Sequence, residues 1–221
     1  HMGIVVLGLM MMNAKAINGA MIQMLAHGIS TGGLFLCVGV LYERRHTRRM
    51  EEFGGLAAQM PWFNAVFLIF TLASVGLPGL SGFPGEFMIL VGTMSAGKAS
   101  AGLPPVFEDA RLYCALAATG VILGAVYMLG MFQRVMFGPL SNPKNKHLPD
   151  LTAREGLVLL PMLGMAFWLG LYPMTFLSDI DPAVNRTIAA IKEKYAAGAP
   201  ESPKLLGGAA EGAKAQPGTR E

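Results

Sequence analysis

One acidic residue, Glu86, lies far from either end of a long apolar stretch. It stands in the segment GFPGEFMILVG, inside the run 61–95, which contains 35 residues. An ionisable side chain inside a membrane span is costly, so such a residue is a functional candidate by default. The alternative is a structural carboxylate paired with a Lys or Arg of another helix. We expect Glu86 to take up and release a proton.

The residues just before Glu86 predict a break in this helix. Prolines and glycines crowd residues 78–85: Pro78, Gly79, Gly82, Pro84 and Gly85. Proline removes a backbone donor, and irregular backbone at membrane depth is tolerated only against protein or a water-filled cavity. Discontinuous helices of this kind mark ion and substrate sites in transporters. A kink used only for packing is the alternative.

The break also matters for the charge on Glu86, which would lie in the first turn of the second half-helix. The helix dipole there favours the carboxylate, whereas burial favours the neutral acid. Because these effects oppose each other, a neighbouring charge can decide the protonation state. That property is required of a proton-loading site.

One histidine is a second candidate, because imidazole titrates near neutral pH and can relay protons. His27 lies about a third of the way along the apolar run 20–42, near three polar residues: Gln23, Ser30 and Thr31. A histidine held by a backbone carbonyl is the alternative there. His1 begins the first apolar run, and for it the alternative is an exposed terminal residue. Two hydroxyls flank the break and could orient water or bond the preceding turn: Ser74 and Ser81.

The composition indicates a protein that crosses a membrane several times. Hydrophobic residues make up 53% of the 221 residues and charged residues 14%, against about 25% charged in an average soluble domain. Two cysteines inside apolar runs and four scattered histidines exclude a disulfide scaffold and zinc-ligand spacing. The net charge of +3 does not predict nucleic-acid binding, since the basic residues cluster in short loops.

The predicted fold is an all-α, polytopic transmembrane bundle of about four full spans plus the end of a fifth. A span takes roughly 20 apolar residues, and five apolar runs occur: 1–12, 20–42, 61–95, 112–137 and 157–173. Residues 13–19 are expected to form a polar turn. The four loops carry 1, 4, 2 and 4 Lys or Arg residues in order. The positive-inside rule therefore places the loops after Tyr42 and Phe137 in the cytoplasm and the C-terminus outside.

Three regions follow from this pattern. Residues 1–175 form the transmembrane bundle, 176–197 an amphipathic C-terminal helix, and 198–221 a disordered tail rich in Gly, Ala, Pro and Lys. We expect Pro182 near the start of the amphipathic helix, with Val184 and Ile188 on one face.

Two stretches carry a resemblance to a known family. GAMIQMLAHGISTGGLFLCVGVLYERRHTRRMEEFGGL, followed by LPGLSGFPGEFMIL, resembles the second half of the antiporter-like subunits of respiratory complex I, in particular the subunit M, or chain 4, family. LYERRHTR and the GEF at the break are the most specific parts. The resemblance covers about residues 1–175. Related subunits and multi-subunit sodium/proton antiporters typically carry Lys where Glu86 stands.

The resemblance implies roles for three residues. Glu86 matches the broken-helix Glu taken as the terminal proton site, and His27 matches the eleventh-helix histidine on the central hydrophilic axis. His1 matches the tenth-helix histidine, since family members read S-H-M-G at this point. On that alignment the sequence begins near the end of the tenth of fourteen helices, without the first repeat and its Glu and Lys. This stretch alone is therefore not expected to pump.

The implied function is proton translocation by a membrane-arm subunit of NADH:quinone oxidoreductase, coupled to quinone reduction in other subunits. FMN, iron–sulfur clusters and quinone would belong to those partner subunits and no cofactor to this chain. Neighbouring antiporter-like subunits and the lipid bilayer would be its partners, in a bacterial-type inner membrane. The alternatives are a component of a multi-subunit sodium/proton antiporter, a membrane-bound hydrogenase subunit, and a purely structural membrane piece. An acidic broken helix argues against the last.

Overall fold

The computed structural model describes residues 1–96 and 109–198, and all regular secondary structure in these residues is helical. The all-α prediction is therefore confirmed for this part of the chain. The seven α-helices are α1 (Met2–Met10), α2 (Ala14–Arg45), α3 (Pro61–Val75), α4 (Gly82–Ala96), α5 (Ala110–Phe137), α6 (Ala153–Leu171) and α7 (Met174–Gly198). The tail predicted to be disordered lies, from residue 199 onward, outside the described residues.

Three helices, α2, α5 and α6, are long and apolar enough to cross a membrane. The run 61–95, predicted to be one broken span, forms two separate helices of 15 residues each. At 1.5 Å per residue, neither is long enough to cross the roughly 30 Å hydrocarbon core alone.

The predicted polar turn at residues 13–19 was wrong, since α2 begins at Ala14. Asn13 is the N-cap of α2, and its side-chain oxygen accepts a hydrogen bond from the backbone N–H of Ala16 at 2.9 Å. This cap satisfies one of the free donors at the start of the helix, so Lys15 and Asn18 can be helical despite their polarity. α2 consequently has 32 residues and forms the centre of the bundle.

The most extensive helix–helix contact is between α2 and α4. Small residues allow it: a Cβ atom at Gly19 would lie 2.8 Å from the backbone N of Ile89, and one at Gly92 would lie 2.6 Å from that of Ala16. Glycine at such positions lets two backbones approach closely without side chains between them. The approach brings the start of α4 against the middle of α2.

The loops after α2 and α5 meet at one end of the bundle. The guanidinium of Arg44 donates to both carboxylate oxygens of Glu155, each at 2.8 Å, and also to the carbonyl oxygens of Pro149 and Asp150. The Asp150 carboxylate in turn accepts hydrogen bonds from the first backbone N–H groups of α3, including that of Phe63 at 3.0 Å. One network therefore fixes the ends of α2, α3 and α6.

The final helix, α7, begins at Met174, so Pro182 lies inside it rather than near its start. Leu177 is buried before the proline, and Val184 and Ile188 are buried after it. α7 packs on α2, with Leu177 in a cluster that includes Ile22. Burial on both sides of Pro182 offsets the hydrogen bond that the proline removes and keeps the helix continuous.

Candidate functional site

Glu86 lies one turn into α4 and is 5% exposed. Its carboxylate faces α2, where the side-chain amide of Gln23 donates a hydrogen bond from Nε2 to Oε1 at 3.1 Å. Gln23 itself is buried. The close approach of the backbones makes this contact possible, because a Cβ atom at Gly85 would lie 2.7 Å from the backbone N of Gln23.

The interruption before Glu86 occupies residues 76–81. Of the five residues predicted to form it, Pro78 and Gly79 lie there, whereas the other three lie in the first turn of α4: Gly82, Pro84 and Gly85. A proline is tolerated in a first turn because its missing N–H would have no partner within the helix. The sequence prediction therefore placed the end of the break four residues too late.

Gly76 marks the other side of the interruption. It ends α3 with a φ of +82°, in the left-handed region that glycine adopts at helix C-termini. A Cβ atom there would lie 2.5 Å from Oε2 of Glu86. The glycine thus ends α3 and leaves room for the carboxylate.

His1 connects the interruption to Glu86. The last carbonyl groups of a helix lack partners within it, and the carbonyl oxygen of Ser74, near the end of α3, lies 2.7 Å from Nε2 of His1. Since a carbonyl only accepts, Nε2 carries the hydrogen in this contact. The same nitrogen lies 3.6 Å from Oε1 of Glu86.

His27 completes a row of three titratable side chains. Its ring centroid lies 5.4 Å from that of His1, and its Nδ1 lies 3.1 Å from the hydroxyl oxygen of Thr31, one turn further along α2. The alternative for His27 was a histidine bonded to a backbone carbonyl. In the structure that kind of contact is made by His1, with the carbonyl oxygen of Ser74. The structure brings together all three residues that the sequence singled out for proton transfer.

A cavity of about 180 Å³ opens beside this row. Its walls come from α1, α3, α4 and α5: His1, Ile4, Ser74, Val75, Glu86, Gly120, Val121, Gly124 and Tyr127. The contribution of α5 was missed from the sequence, where its glycines look like those of any membrane helix. Gln23 was noticed only as a neighbour of His27, because its distance to Glu86 depends on helix packing.

The arrangement suits proton exchange. Acids and bases exchange protons across hydrogen-bond distances of about 2.6–3.2 Å. The 3.6 Å between Nε2 of His1 and Oε1 of Glu86 is slightly longer, so a small movement of either side chain would bring the two within reach. Within residues 1–96 and 109–198, no group of three His, Cys, Asp or Glu side chains could hold a metal ion.

Comparison with known proteins shows which family this chain is similar to. Residues 1–104 match the family described as NADH:quinone oxidoreductase/Mrp antiporter, TM. Over 188 residues the chain is 41% identical to NADH-quinone oxidoreductase subunit M of Rhodobacter capsulatus, covering 85% of this chain and 34% of the relative. Residues 1–104 therefore carry the sequence pattern of this oxidoreductase/antiporter family. NADH-ubiquinone oxidoreductase chain 4 of Marchantia polymorpha is 40% identical over 188 residues, which cover 85% of this chain and 35% of that protein.

Solved structures show a similarity over most of the chain. Respiratory complex I from Thermus thermophilus with bound NADH contains a chain with a TM-score of 0.74 and 35% identity, covering 87% of this chain and 37% of that one. The Mrp complex from Dietzia sp. DQ12-45-1b gives a TM-score of 0.64 at 20% identity, covering 85% of this chain and 42% of that one, which shows a shared fold only. The chain spans about a third of the length of the curated relatives it matches.

Proposed function

We propose that this chain forms the C-terminal part of subunit M, or chain 4, in a proton-pumping NADH:quinone oxidoreductase. The observation that carries the proposal is the row His27, His1 and Glu86, which ends at a buried carboxylate beside an interrupted helix. A titratable row that ends at a buried carboxylate is costly to maintain in a membrane and suits a proton path.

The proposal treats α3 and α4 as two halves of one broken span. α3 begins at the end of the bundle where Asp150 caps it. The last part of α4 lies at the other end, where the Asn13 side chain donates to the carbonyl oxygen of Gly92 at 3.0 Å. Together the two halves cross the bundle, giving four spans, and the site lies between the halves near mid-membrane.

In this mechanism, quinone reduction elsewhere in the complex changes the charge along the central axis. A proton then passes from His27 and its waters to His1, and from His1 to Glu86. The Gln23 amide stabilises the ionised carboxylate, because a donor aimed at a buried anion offsets part of its lost hydration. Glu86 releases the proton outward or passes it on.

The orientation in the proposal follows the basic residues. Both arginine-containing loops lie at the end of the bundle that holds the contact between Arg44 and Glu155. By the positive-inside rule this end is cytoplasmic. α7 and the C-terminus are then on the outer side of a bacterial-type inner membrane.

The cofactors and partners in the proposal lie outside this chain. FMN, iron–sulfur clusters and quinone belong to other subunits, and neighbouring antiporter-like subunits contact this one. A sodium/proton antiporter component and a membrane-bound hydrogenase subunit are the alternatives. Identity of 35% to a complex I chain, against 20% to an Mrp chain, favours the oxidoreductase.

The decisive variant is Glu86→Gln in the full-length protein within its native complex, because it keeps the shape of the side chain and removes its titration. We expect proton translocation to fall while the complex remains assembled. Glu43→Gln is the matched control, since the Glu43 side chain is 64% exposed and its ion pair with the exposed Arg154 is long, at 4.0 Å. Normal pumping by Glu86→Gln would show that the role assigned to Glu86 is wrong.

A separate experiment tests which reaction drives proton translocation. The full-length protein, tagged and purified in mild detergent from native membranes, is assayed for NADH-dependent quinone reduction. Co-purifying activity supports the oxidoreductase. Co-purification of intact partner subunits without that activity would favour an antiporter or a hydrogenase instead.

A further inference from the structure

The side-chain amide of Gln23 uses only one of its two polar atoms. Its Nε2 donates to Oε1 of Glu86 at 3.1 Å, whereas its own Oε1 is buried and has no hydrogen-bond partner among the described residues. Gln23 is 2% exposed, so bulk water does not supply that partner. Buried polar atoms are nearly always paired, so an unpaired oxygen beside a titratable group calls for an explanation.

The helices around Glu86 bring no permanent positive charge to it. Within residues 1–96 and 109–198, no Lys or Arg forms an ion pair with Glu86, and the basic side chain near it is His1, at 3.6 Å. The other titratable side chains that face this region are His27 on α2 and Tyr127 on α5, while α3 contains none. Without a fixed cation to hold the carboxylate ionised, both protonation states of Glu86 are accessible.

The two protonation states of Glu86 need opposite partners. An ionised carboxylate only accepts hydrogen bonds, whereas a neutral carboxylic acid carries an O–H that must donate. A primary amide offers both functions, because it has two N–H donors and a carbonyl acceptor on adjacent atoms. Half a turn about χ3 of Gln exchanges them, and this torsion is broad and roughly two-fold. Gln23 is therefore able to pair with either state without moving its backbone.

Gly85 leaves the space in which the amide lies. A Cβ atom at Gly85 would lie 2.5 Å from Oε1 of Gln23, so any larger residue would fill the position of that oxygen. Half a turn about χ3 places Nε2 where Oε1 now lies and needs no further room. Each orientation leaves one amide atom facing Gly85, so the contact with Glu86 decides between the two.

We propose that Gln23 changes orientation with the charge on Glu86: its N–H donates to the carboxylate, and its carbonyl oxygen accepts the O–H once Glu86 is protonated. The step is an acid–base transfer, in which an N–H bond of protonated His1 breaks and an O–H bond forms on Glu86. The inference rests on the proposed function and adds a residue that contacts the reacting group in both states. The accepted O–H points at Gln23 rather than back at His1, so the proton is held away from its donor.

The first test is infrared spectroscopy of the full-length protein within its native complex. The C=O stretch of protonated Glu86 is the band that Glu86→Gln removes. We expect this band to move to higher wavenumber in Gln23→Met, because Met is as long as Gln but is only a weak acceptor, so the O–H loses its partner. An unmoved band would overturn the inference, and so would the absence of this band from the wild type at every pH tested.

The second test makes residue 23 a donor only. The ammonium of Gln23→Lys has three N–H donors and no acceptor, so it preserves a role limited to supporting the carboxylate. We expect proton translocation per NADH oxidised to fall several-fold and the band of protonated Glu86 to disappear, because Lys holds Glu86 ionised. Asn18→Lys is the matched control, since Asn18 is another buried amide of α2 and donates to a carboxylate, that of Asp181, at 2.5 Å. Its translocation should be unchanged.

The outcomes separate the two proposals. Normal translocation in an assembled Gln23→Lys complex would overturn the inference while leaving a defect in Glu86→Gln meaningful. If Gln23→Lys does not assemble, the position of the infrared band in Gln23→Met decides. Normal translocation in Glu86→Gln would instead reject the proposed function, and the infrared band would still report whether Gln23 accepts the O–H of Glu86.

Discussion

The side-chain amide of Gln23 and the carboxylate of Glu86 form a buried hydrogen bond of 3.1 Å between α2 and α4, the two most extensively packed helices. The donor and the acceptor are 63 residues apart in sequence. This contact links the central helix to the first turns of α4, so both the stability and the protonation of the site depend on it.

Replacing Gln23 with Leu is expected to reduce proton translocation several-fold without loss of assembly. The change removes the hydrogen-bond donor of a buried carboxylate, and a hydrogen bond to a charged group contributes about 1.5–3 kcal/mol. Translocation in proteoliposomes containing the full complex is the measurement. Gln133→Leu on the exposed side of α5 is the control. Unchanged translocation in Gln23→Leu would contradict a supporting role for the amide.

Replacement of His1 or His27 by Gln tests whether the two rings act in series. Each single variant should slow translocation, and the double variant should be no slower than the worse single variant, because residues acting as one unit are non-additive. The loop variant His147→Gln should translocate normally, since that side chain is exposed. Fully multiplicative losses would indicate two independent roles.

Gly76→Ala is expected to destabilise the protein. The φ of +82° costs a residue with a Cβ of the order of 1–3 kcal/mol, and the new Cβ would also contact Oε2 of Glu86. Gly164→Ala is the matched change, because Gly164 lies within α6 with open space around it. Thermal unfolding in detergent should show a lower Tm for Gly76→Ala and an equal or higher Tm for Gly164→Ala. If Gly76→Ala had the Tm of the wild type, residues 76–81 would have to accommodate the new Cβ atom without loss of stability.

Arg44→Lys is expected to lower the free energy of unfolding by about 2 kcal/mol, since the ammonium cannot reproduce the planar fork that binds both oxygens of Glu155. The Arg44 side chain is 8% exposed, so water replaces little of what is lost. Arg49→Lys is the control at a side chain that is 79% exposed. Denaturant unfolding of the purified protein compares them. Equal effects would mean that the Arg44 network adds no stability.

Much of the fold was predictable because apolar runs and short polar loops are local features of the sequence. The runs around α2, α5 and α6 predicted helices close to those observed. Errors arose where local polarity and backbone capping compete: Asn13 starts a helix rather than a turn, and Pro182 lies within one. In both cases hydrogen bonding or packing outweighed the propensity of single residues.

The sequence by itself determined that Glu86 is an acid within an apolar run next to an interrupted helix, because the cost of such a residue in a membrane does not depend on its neighbours. Only the tertiary structure decided what surrounds it. Gln23 reaches the carboxylate because Gly85 allows the backbones of α2 and α4 to touch. His1 lies near the carboxylate because its ring is held by a hydrogen bond to the carbonyl oxygen of Ser74. The open space at Gly124 likewise depends on how α5 packs, since a glycine in sequence does not show whether it faces a backbone or a cavity.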